Sequence, residues 1–229
     1  MKLLSLDTNA KTVKGQAKGY MTAILYLAPE KQSGVMNVCA FASNGCKNAC
    51  LYTAGRGRFT NVQEARIERT RFYKRDAQAF IQQLKDEIRR YKAYAEKKGY
   101  QFCVRLNGTS DIPWEAYGIM QEFPDVKFYD YTKNALRAIK WAKGALPANY
   151  HITFSRSEEN CTQVDQVLHA GGNVAVVFSK PSFPAEYLGK PVVNGDETDL
   201  RFLDPKNVIV GLKAKGDAKK DESGFVVKV

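Results

Sequence analysis

Short apolar runs that alternate with helical segments are the feature that most constrains the fold of this chain. Six such runs occupy residues 21–28, 102–106, 126–131, 151–154, 174–178 and 208–212. Strands that alternate with helices form βαβ units, so the pattern predicts a parallel sheet. About six strands favour an open, partial βα barrel of the TIM type over a closed eightfold one. A Rossmann-type sheet is the rival, but no G-x-G-x-x-G follows the first run.

The chain is predicted to form one α/β domain over residues 1–229, because this length suits a single domain of that class. Within it we expect an N-terminal arm at 1–18, a cysteine loop at 33–58, and a charged loop with a final strand at 213–229. The apolar stretch at 3–6 is too short for a signal peptide or a membrane span. We therefore expect a cytoplasmic, reducing location and no membrane contact.

The cysteine loop holds three of the five cysteines, Cys39, Cys46 and Cys50, with the spacing C-x6-C-x3-C. Thiolates are ligands for zinc and for iron–sulfur clusters. An odd number of cysteines in a reducing compartment argues against a disulfide. Free cysteine is often a small core residue, but a loop rich in Gly, Ser and Asn is a poor place for a core. The spacing therefore predicts a metal centre.

The ligand count separates two kinds of metal centre. A structural zinc site uses four protein ligands, commonly in closely spaced pairs. The chain has two histidines and no C-x2-C pair, so Cys103 or Cys161 would have to supply a distant fourth ligand. A cubane cluster accepts three cysteines and leaves one iron free for a small molecule. The cysteines favour a [4Fe–4S] cluster, with zinc as the alternative.

Polar residues follow several of the predicted strands, where parallel α/β proteins collect their functional groups. The candidates for binding a small anionic or zwitterionic ligand beside the metal are Asn107, Thr109, Ser110, Asp111, Ser155, Arg156 and Lys213. The same residue types are common in turns and helix caps, so a purely structural role is the alternative for each of them.

A basic stretch from Arg56 to Arg75 follows the cysteine loop and includes Arg66, Arg69 and Arg71. Lys and Arg outnumber Asp and Glu by 35 to 24, which gives a net charge of +11. Aromatic residues lie between these cations, and a basic face with aromatics suits single-stranded nucleic acid. A solvated helix face is the other interpretation.

Three segments of the chain resemble one known family. They are the cysteine loop, the stretch Arg-Leu-Asn-Gly-Thr-Ser-Asp-Ile-Pro-Trp at 105–114, and the stretch at 199–216 that begins Asp-Leu-Arg-Phe-Leu-Asp-Pro. Together they resemble the phage "gene product 88" domain family over roughly residues 15–216. The resemblance implies a phage protein in the host cytoplasm. Some members carry a label of rolling-circle replication association, which implies a nucleic-acid partner.

A cysteine loop on the first strand of a βα barrel is also similar to radical-SAM proteins. This similarity implies that Cys39, Cys46 and Cys50 ligate a [4Fe–4S] cluster with one open iron. It also implies that residues 107–111 and 155–156 hold S-adenosylmethionine or a related ligand. Radical-SAM enzymes usually have C-x3-C-x2-C with an aromatic residue before the last cysteine, where this chain has Ala49.

Two functional hypotheses follow. The first is an iron–sulfur phage protein with a radical-SAM-like partial barrel, which would be an enzyme if it cleaves S-adenosylmethionine. The alternative is a basic, replication-associated protein that binds nucleic acid and holds a structural zinc.

Overall fold

A computed structural model describes residues 1–7, 10–180 and 182–229 of the chain. The strands within this part are β1 (Leu4–Leu6), β2 (Tyr20–Leu25), β3 (Gln101–Arg105), β4 (Lys127–Thr132), β5 (Tyr150–Ser155), β6 (Asn173–Phe178), β7 (Glu186–Tyr187), β8 (Lys190–Asn194), β9 (Ile209–Lys213) and β10 (Val226–Val227). The α-helices are α1 (Ala10–Gly15), α2 (Asn44–Asn48), α3 (Thr60–Arg75), α4 (Ala77–Lys97), α5 (Ile119–Glu122), α6 (Ala135–Ala142) and α7 (Cys161–His169).

The described strands form one mostly parallel sheet with the order β1-β2-β3-β4-β5-β6-β9-β8-β7, and β10 lies beside β6. Strands β2 to β6 and β9 run parallel in chain order, while β1 is antiparallel to β2 and β7 to β8. The sheet is not closed. An α/β chain with an open parallel sheet is thus confirmed, and all six apolar runs are strands. A radical-SAM or TIM-like barrel stays a prediction.

Helix α4 covers one face of the sheet, as its periodicity predicts. Phe80, Leu84 and Ile88 recur every four residues, and all three side chains are fully buried. Asp76 caps the helix, since its Oδ1 accepts a hydrogen bond of 2.9 Å from the Ala79 amide. This apolar face packs on the side chains of β2 and β3 that point to the same side.

Two helical segments depart from simple sequence patterns. Thr60 and Gln63 have the spacing of a capping box, but the N-cap of α3 is Phe59, and Gln63 Nε2 donates to Gly57 O at 3.1 Å. Helical geometry is also interrupted within residues 113–123. Gly118 has φ +68° and separates a 3-10 turn (Trp114–Tyr117) from α5.

The first residues of the expected N-terminal arm belong to the sheet. Strand β1 pairs with β2, and Leu3 and Leu4 are fully buried. The Glu87 carboxylate accepts hydrogen bonds from the amides of Leu3 (2.9 Å) and Leu4 (2.8 Å). Helix α4 thereby anchors this segment. Residues 8 and 9 of the arm lie outside the described residues.

The second face of the sheet carries buried polar groups beneath the segment around 199–203. Arg105 Nη1 donates to Asp199 Oδ2 at 3.1 Å, and the Tyr129 hydroxyl donates to the same oxygen at 3.2 Å. Burial, with the nearby Arg201 cation, lowers the pKa of His151 to about 3. His151 is therefore neutral at physiological pH.

The part of the chain that the structure describes contains no helix long and apolar enough to cross a membrane.

Candidate metal centre

The cysteine loop crosses the carboxyl ends of the central strands, where the turn after β3 holds its first part. The Asp111 amide donates to Val38 O at 2.8 Å. The Cys39 thiol contacts Thr109 O at 3.6 Å. Because the first bond joins the two backbones and the second holds the Cys39 sulfur, Cys39 is placed by the turn after β3 and not by the loop alone.

Glu158, which follows β5, holds the part of the loop that carries Cys46. Ser43 caps α2 by accepting the Cys46 amide at 3.2 Å, and its hydroxyl donates to Glu158 Oε2 at 2.8 Å. The Gly45 amide donates to Glu158 Oε1 at 2.6 Å. A Cβ at Gly45 would clash with Ser223 Oγ and with Glu158 Oε2, so a larger residue here would displace both side chains.

The three thiols of the loop share one neighbourhood. All are free, and each is partly buried. Burial raises the pKa of Cys39 to about 12, and the thiols of Cys50 and Cys46 add to the increase. Burial also raises the pKa of Cys50, while the cations of Arg66 and Lys133 oppose the increase. The thiols are thus close enough to act on one another electrostatically.

The thiols are not arranged around a common point. Among the residues described here, no three His, Cys, Asp or Glu side chains form a group that could hold a metal ion. Metal binding would therefore require the side chains of Cys39, Cys46 and Cys50 to turn towards a shared centre.

The predicted ligand residues 107–110 build the turn after β3. Asn107 is 2% exposed, and its Oδ1 accepts hydrogen bonds from Trp114 Nε1 (3.0 Å) and Ser110 Oγ (2.8 Å). Thr109 Oγ1 donates to Leu27 O at 2.6 Å. These groups connect the turn to the core and to the start of the cysteine loop. Contact with a ligand stays a prediction for them.

Asp111 is the counter-ion of a buried arginine. Its Oδ1 accepts hydrogen bonds from Arg137 Nη1 (2.8 Å) and Thr132 Oγ1 (2.7 Å), and Oδ2 accepts the Lys133 amide (2.8 Å). Arg137 also donates to both oxygens of Glu115 at 2.8 Å. Thr132 takes part in this network, and Asn134 caps α6. Arg137 was absent from the sequence-based candidates because it lies on a helix and not at a strand end.

The other three predicted ligand residues have separate surroundings. Ser155 Oγ accepts a hydrogen bond of 2.9 Å from Lys133 Nζ, so this hydroxyl lies at the carboxyl edge of the sheet. Arg156 Nη1 donates to Phe225 O at 3.0 Å and thus holds the C-terminal segment. Lys213 is exposed, and its amide donates to Asp196 Oδ2 at 2.7 Å.

The C-terminal segment, residues 214–229, covers one side of the cysteine loop. Strand β10 pairs in parallel with β6, Val226 opposite Val177. Phe225 and Val226 pack with Ala49 and with Cys46 of the loop. The final strand predicted at 225–229 is present but shorter, and its partner is β6 at the carboxyl edge.

Arg66 does not lie on an exposed nucleic-acid face, and the prediction that it does is wrong. Its side chain is buried at 6% exposure, with the guanidinium carbon 4.9 Å from the Tyr26 ring centre and 5.6 Å from that of Tyr52. Thr70 lies on the same face of α3 and accepts the Ala28 amide at 2.9 Å. That face therefore packs against the chain that leaves β2.

The remaining cations of the basic stretch differ in exposure. Arg69 is half-buried and its Nε donates to Lys2 O at 2.8 Å, and Arg71 is paired with Glu68 at 2.9 Å. The exposed cations of the stretch are Arg56, Arg58, Arg71, Lys74 and Arg75.

Comparison with known proteins gives one match. The family model described as "Gene product 88" matches residues 2–229. No curated protein and no solved structure matches the chain. The match supports the phage family suggested by the sequence, whereas no comparison supports the radical-SAM similarity. The chain belongs to the gene product 88 family.

Proposed function

We propose that this protein binds a [4Fe–4S] cluster through Cys39, Cys46 and Cys50, with one iron open to a small ligand. The observation that carries the proposal is that the three thiols share one neighbourhood at the carboxyl edge of the sheet. Contacts with the residues after β3 and β5 hold the loop there. The donor set fits the group in type, since thiolates are the usual ligands of such clusters.

The surroundings of the thiols favour a cluster over zinc. Asp111 is close enough to Cys39 for its charge to add to the increase that burial causes in the pKa of that thiol, but its carboxylate is already paired with Arg137. His151 begins a strand and His169 ends α7, so both histidines lie towards the opposite edge of the sheet. Cys103 is fully buried within β3, with its sulfur 3.1 Å from Thr22 Oγ1. Cys161 is exposed at the start of α7, and Glu158, the carboxylate that contacts the cysteine loop, is bound to Ser43 and to the Gly45 amide. We therefore favour ligation by the three thiolates alone over a zinc site with a fourth protein ligand.

The chain's own residues would support such a centre in three ways. Glu158 and the turn after β3 hold the loop backbone, as described above. Phe225 and Val226 shield one side from water. The Lys133 cation opposes the increase that burial causes in the pKa of Cys50, and its Nζ donates a hydrogen bond to Ser155 Oγ. We propose that the side chains of Lys133 and Ser155 contact the small ligand. A bound cluster would supply redox chemistry and one open coordination position. S-adenosylmethionine is the ligand we propose for that position.

The identity of the metal tests the proposal. We expect protein purified without oxygen to show a broad absorption band at about 400 nm. It should contain about four iron atoms and about four sulfide ions per chain. Iron, sulfide and zinc should be measured on the same sample. One zinc per chain without sulfide would contradict the cluster and favour the structural zinc site.

Nucleic-acid binding is a second candidate, because exposed cations lie beside aromatic rings at both ends of α3. Phe59 is 50% exposed, and the Arg58 guanidinium lies 6.0 Å from its ring centre. Arg75 lies 5.7 Å from the ring centre of Phe72. Cations can contact phosphates while bases stack on such rings.

Replacing Arg58 and Arg75 by Glu is expected to weaken binding of single-stranded DNA. Each lost phosphate contact should lower the slope of log Kd against log salt by about one. Fluorescence anisotropy over a salt series measures this. The charge-matched control is the replacement of Arg90 and Lys97, exposed on α4, by Glu. Equal loss of affinity in both double variants would show a general charge effect and contradict a site on this surface.

A further inference from the structure

Arg66 is a buried cation that has no acidic partner. It takes part in none of the ion pairs found among the described residues. Its Nε and Nη1 are buried and make no hydrogen bond. A buried charge is strongly unfavourable unless an opposite charge or hydrogen bonds compensate it. The other buried arginines on this side behave differently, since Arg137 is paired with both Asp111 and Glu115.

The neighbours of Arg66 provide aromatic faces but no opposite charge. The rings of Tyr26 and Tyr52 lie 4.9 and 5.6 Å from its guanidinium carbon, so cation–π contacts offset part of the cost of burial. Neither ring supplies a hydrogen-bond acceptor to Nε or Nη1. On the same helix, Arg69 is a further cation. An arginine remains protonated under these conditions, so its positive charge has no anionic partner among the described residues.

The position of Arg66 is set by the cysteine site. Tyr52 lies two residues after Cys50 in the 3-10 turn Leu51–Thr53, and its ring contacts the guanidinium. Thr70, one turn further along α3, binds the backbone of Ala28 and anchors the helix. The guanidinium is therefore held beside Cys50 before any ligand binds, which lowers the ordering cost of binding.

We propose that Arg66 is the anchor of an oxyanion-binding site beside Cys50, which accepts a carboxylate or phosphate group of a small ligand. Its unpartnered N–H groups would donate charge-assisted hydrogen bonds to the anion. Lys133, whose cation also acts on Cys50, adds positive potential to the same site. This inference rests on the proposed function, in which a small ligand binds beside the three cysteines, and it adds the chemical class of that ligand.

The test uses metal-free, ¹⁵N-labelled protein, so that it does not depend on a cluster. Sodium phosphate and, separately, sodium acetate are titrated at constant ionic strength while the arginine Nε–H signals are recorded. We expect a saturable shift of the Arg66 signal, assigned by its absence in Arg66→Lys. The Cys50 and Tyr52 amides should shift with the same midpoint. A larger effect of phosphate or of acetate identifies which oxyanion the site prefers.

Two variants make the result specific. Arg66→Lys should weaken the anion affinity reported by the Cys50 amide at least tenfold. Arg69→Lys, on the same helix, should leave it unchanged, because Arg69 Nε already donates to Lys2 O. No saturable shift with either anion in the parent protein would overturn the inference, whether or not the variants fold. Separate metal analysis distinguishes failure of this inference from failure of the proposed function. If the protein binds no cluster but the anions still shift the Arg66 signal, only the proposed function is contradicted.

Discussion

Replacing Cys39, Cys46 and Cys50 singly by serine is expected to reduce iron and sulfide in anaerobically purified protein to less than about a tenth of the parent content. Serine removes the soft thiolate ligand while it nearly preserves side-chain size. Because a cubane held by three cysteines has no spare protein ligand, each single replacement should be sufficient. Iron and sulfide analysis with visible absorption measures the loss.

Cys161→Ser is the matched control, because Cys161 is an exposed free thiol at the start of α7. It should retain the full metal content of the parent. Circular dichroism of all four variants separates loss of ligand from loss of fold. Full metal content in the Cys39, Cys46 and Cys50 variants would show that the metal, if present, is bound elsewhere.

Arg137→Ala is expected to lower the free energy of unfolding by about 3–5 kcal/mol, the largest stability effect that we predict. The side chain is 7% exposed and binds Asp111 and Glu115 at 2.8 Å. Its removal leaves two carboxylates in a poorly solvated place without a cation. Urea denaturation of metal-free protein, followed by circular dichroism, measures the change.

Two comparisons locate the origin of this loss. Arg89→Ala breaks solvent-accessible pairs with Asp86 and Glu122 and should cost less than about 1 kcal/mol. The triple variant Arg137→Met, Asp111→Asn and Glu115→Gln removes all three charges and should recover part of the stability, because the uncompensated carboxylates are gone. If Arg137→Ala lowers the free energy of unfolding by less than about 1 kcal/mol, the ion pairs of Arg137 with Asp111 and Glu115 do not contribute the stability proposed here.

The parallel strands were predictable from the sequence because burial on both faces gives nearly continuous apolar runs. The run at 174–178, Val-Ala-Val-Val-Phe, is an example, and it lies in β6, an interior strand of the sheet. Helix α4 was equally predictable, since its buried residues recur at helical spacing and Asp76 caps it. Local chemistry alone determines both features.

The partners of charged residues were not predictable, because they come from distant parts of the chain. Arg66 is one of many cations in its stretch, and only packing against Tyr26 and Tyr52 shows that it is buried. Glu158 reaches the cysteine loop across 115 positions of sequence. Single-sequence patterns contain no signal for such contacts.

The residues at the carboxyl ends of the strands show why turn residues and ligand residues are hard to distinguish from sequence. Asn107 and Ser110 were interpreted as ligand groups, yet both use their side chains within the turn. Turns and ligand sites draw on the same polar residue types, because both need short side chains that form hydrogen bonds. Only the hydrogen-bond partners distinguish the two roles.

The contact between Glu158 and α2 also has a consequence for the order of folding. Loop closure over a long stretch of chain is entropically costly and slow, so distant contacts tend to form after local ones. The contacts of Glu158 with Ser43 and Gly45, which hold helix α2 and Cys46 in place, form only when β5 and the segment after it are in place. Phe225 and Val226 also pack on this part of the cysteine loop. The thiols are therefore brought together late in folding, and a metal would enter a nearly complete protein instead of acting as its nucleus.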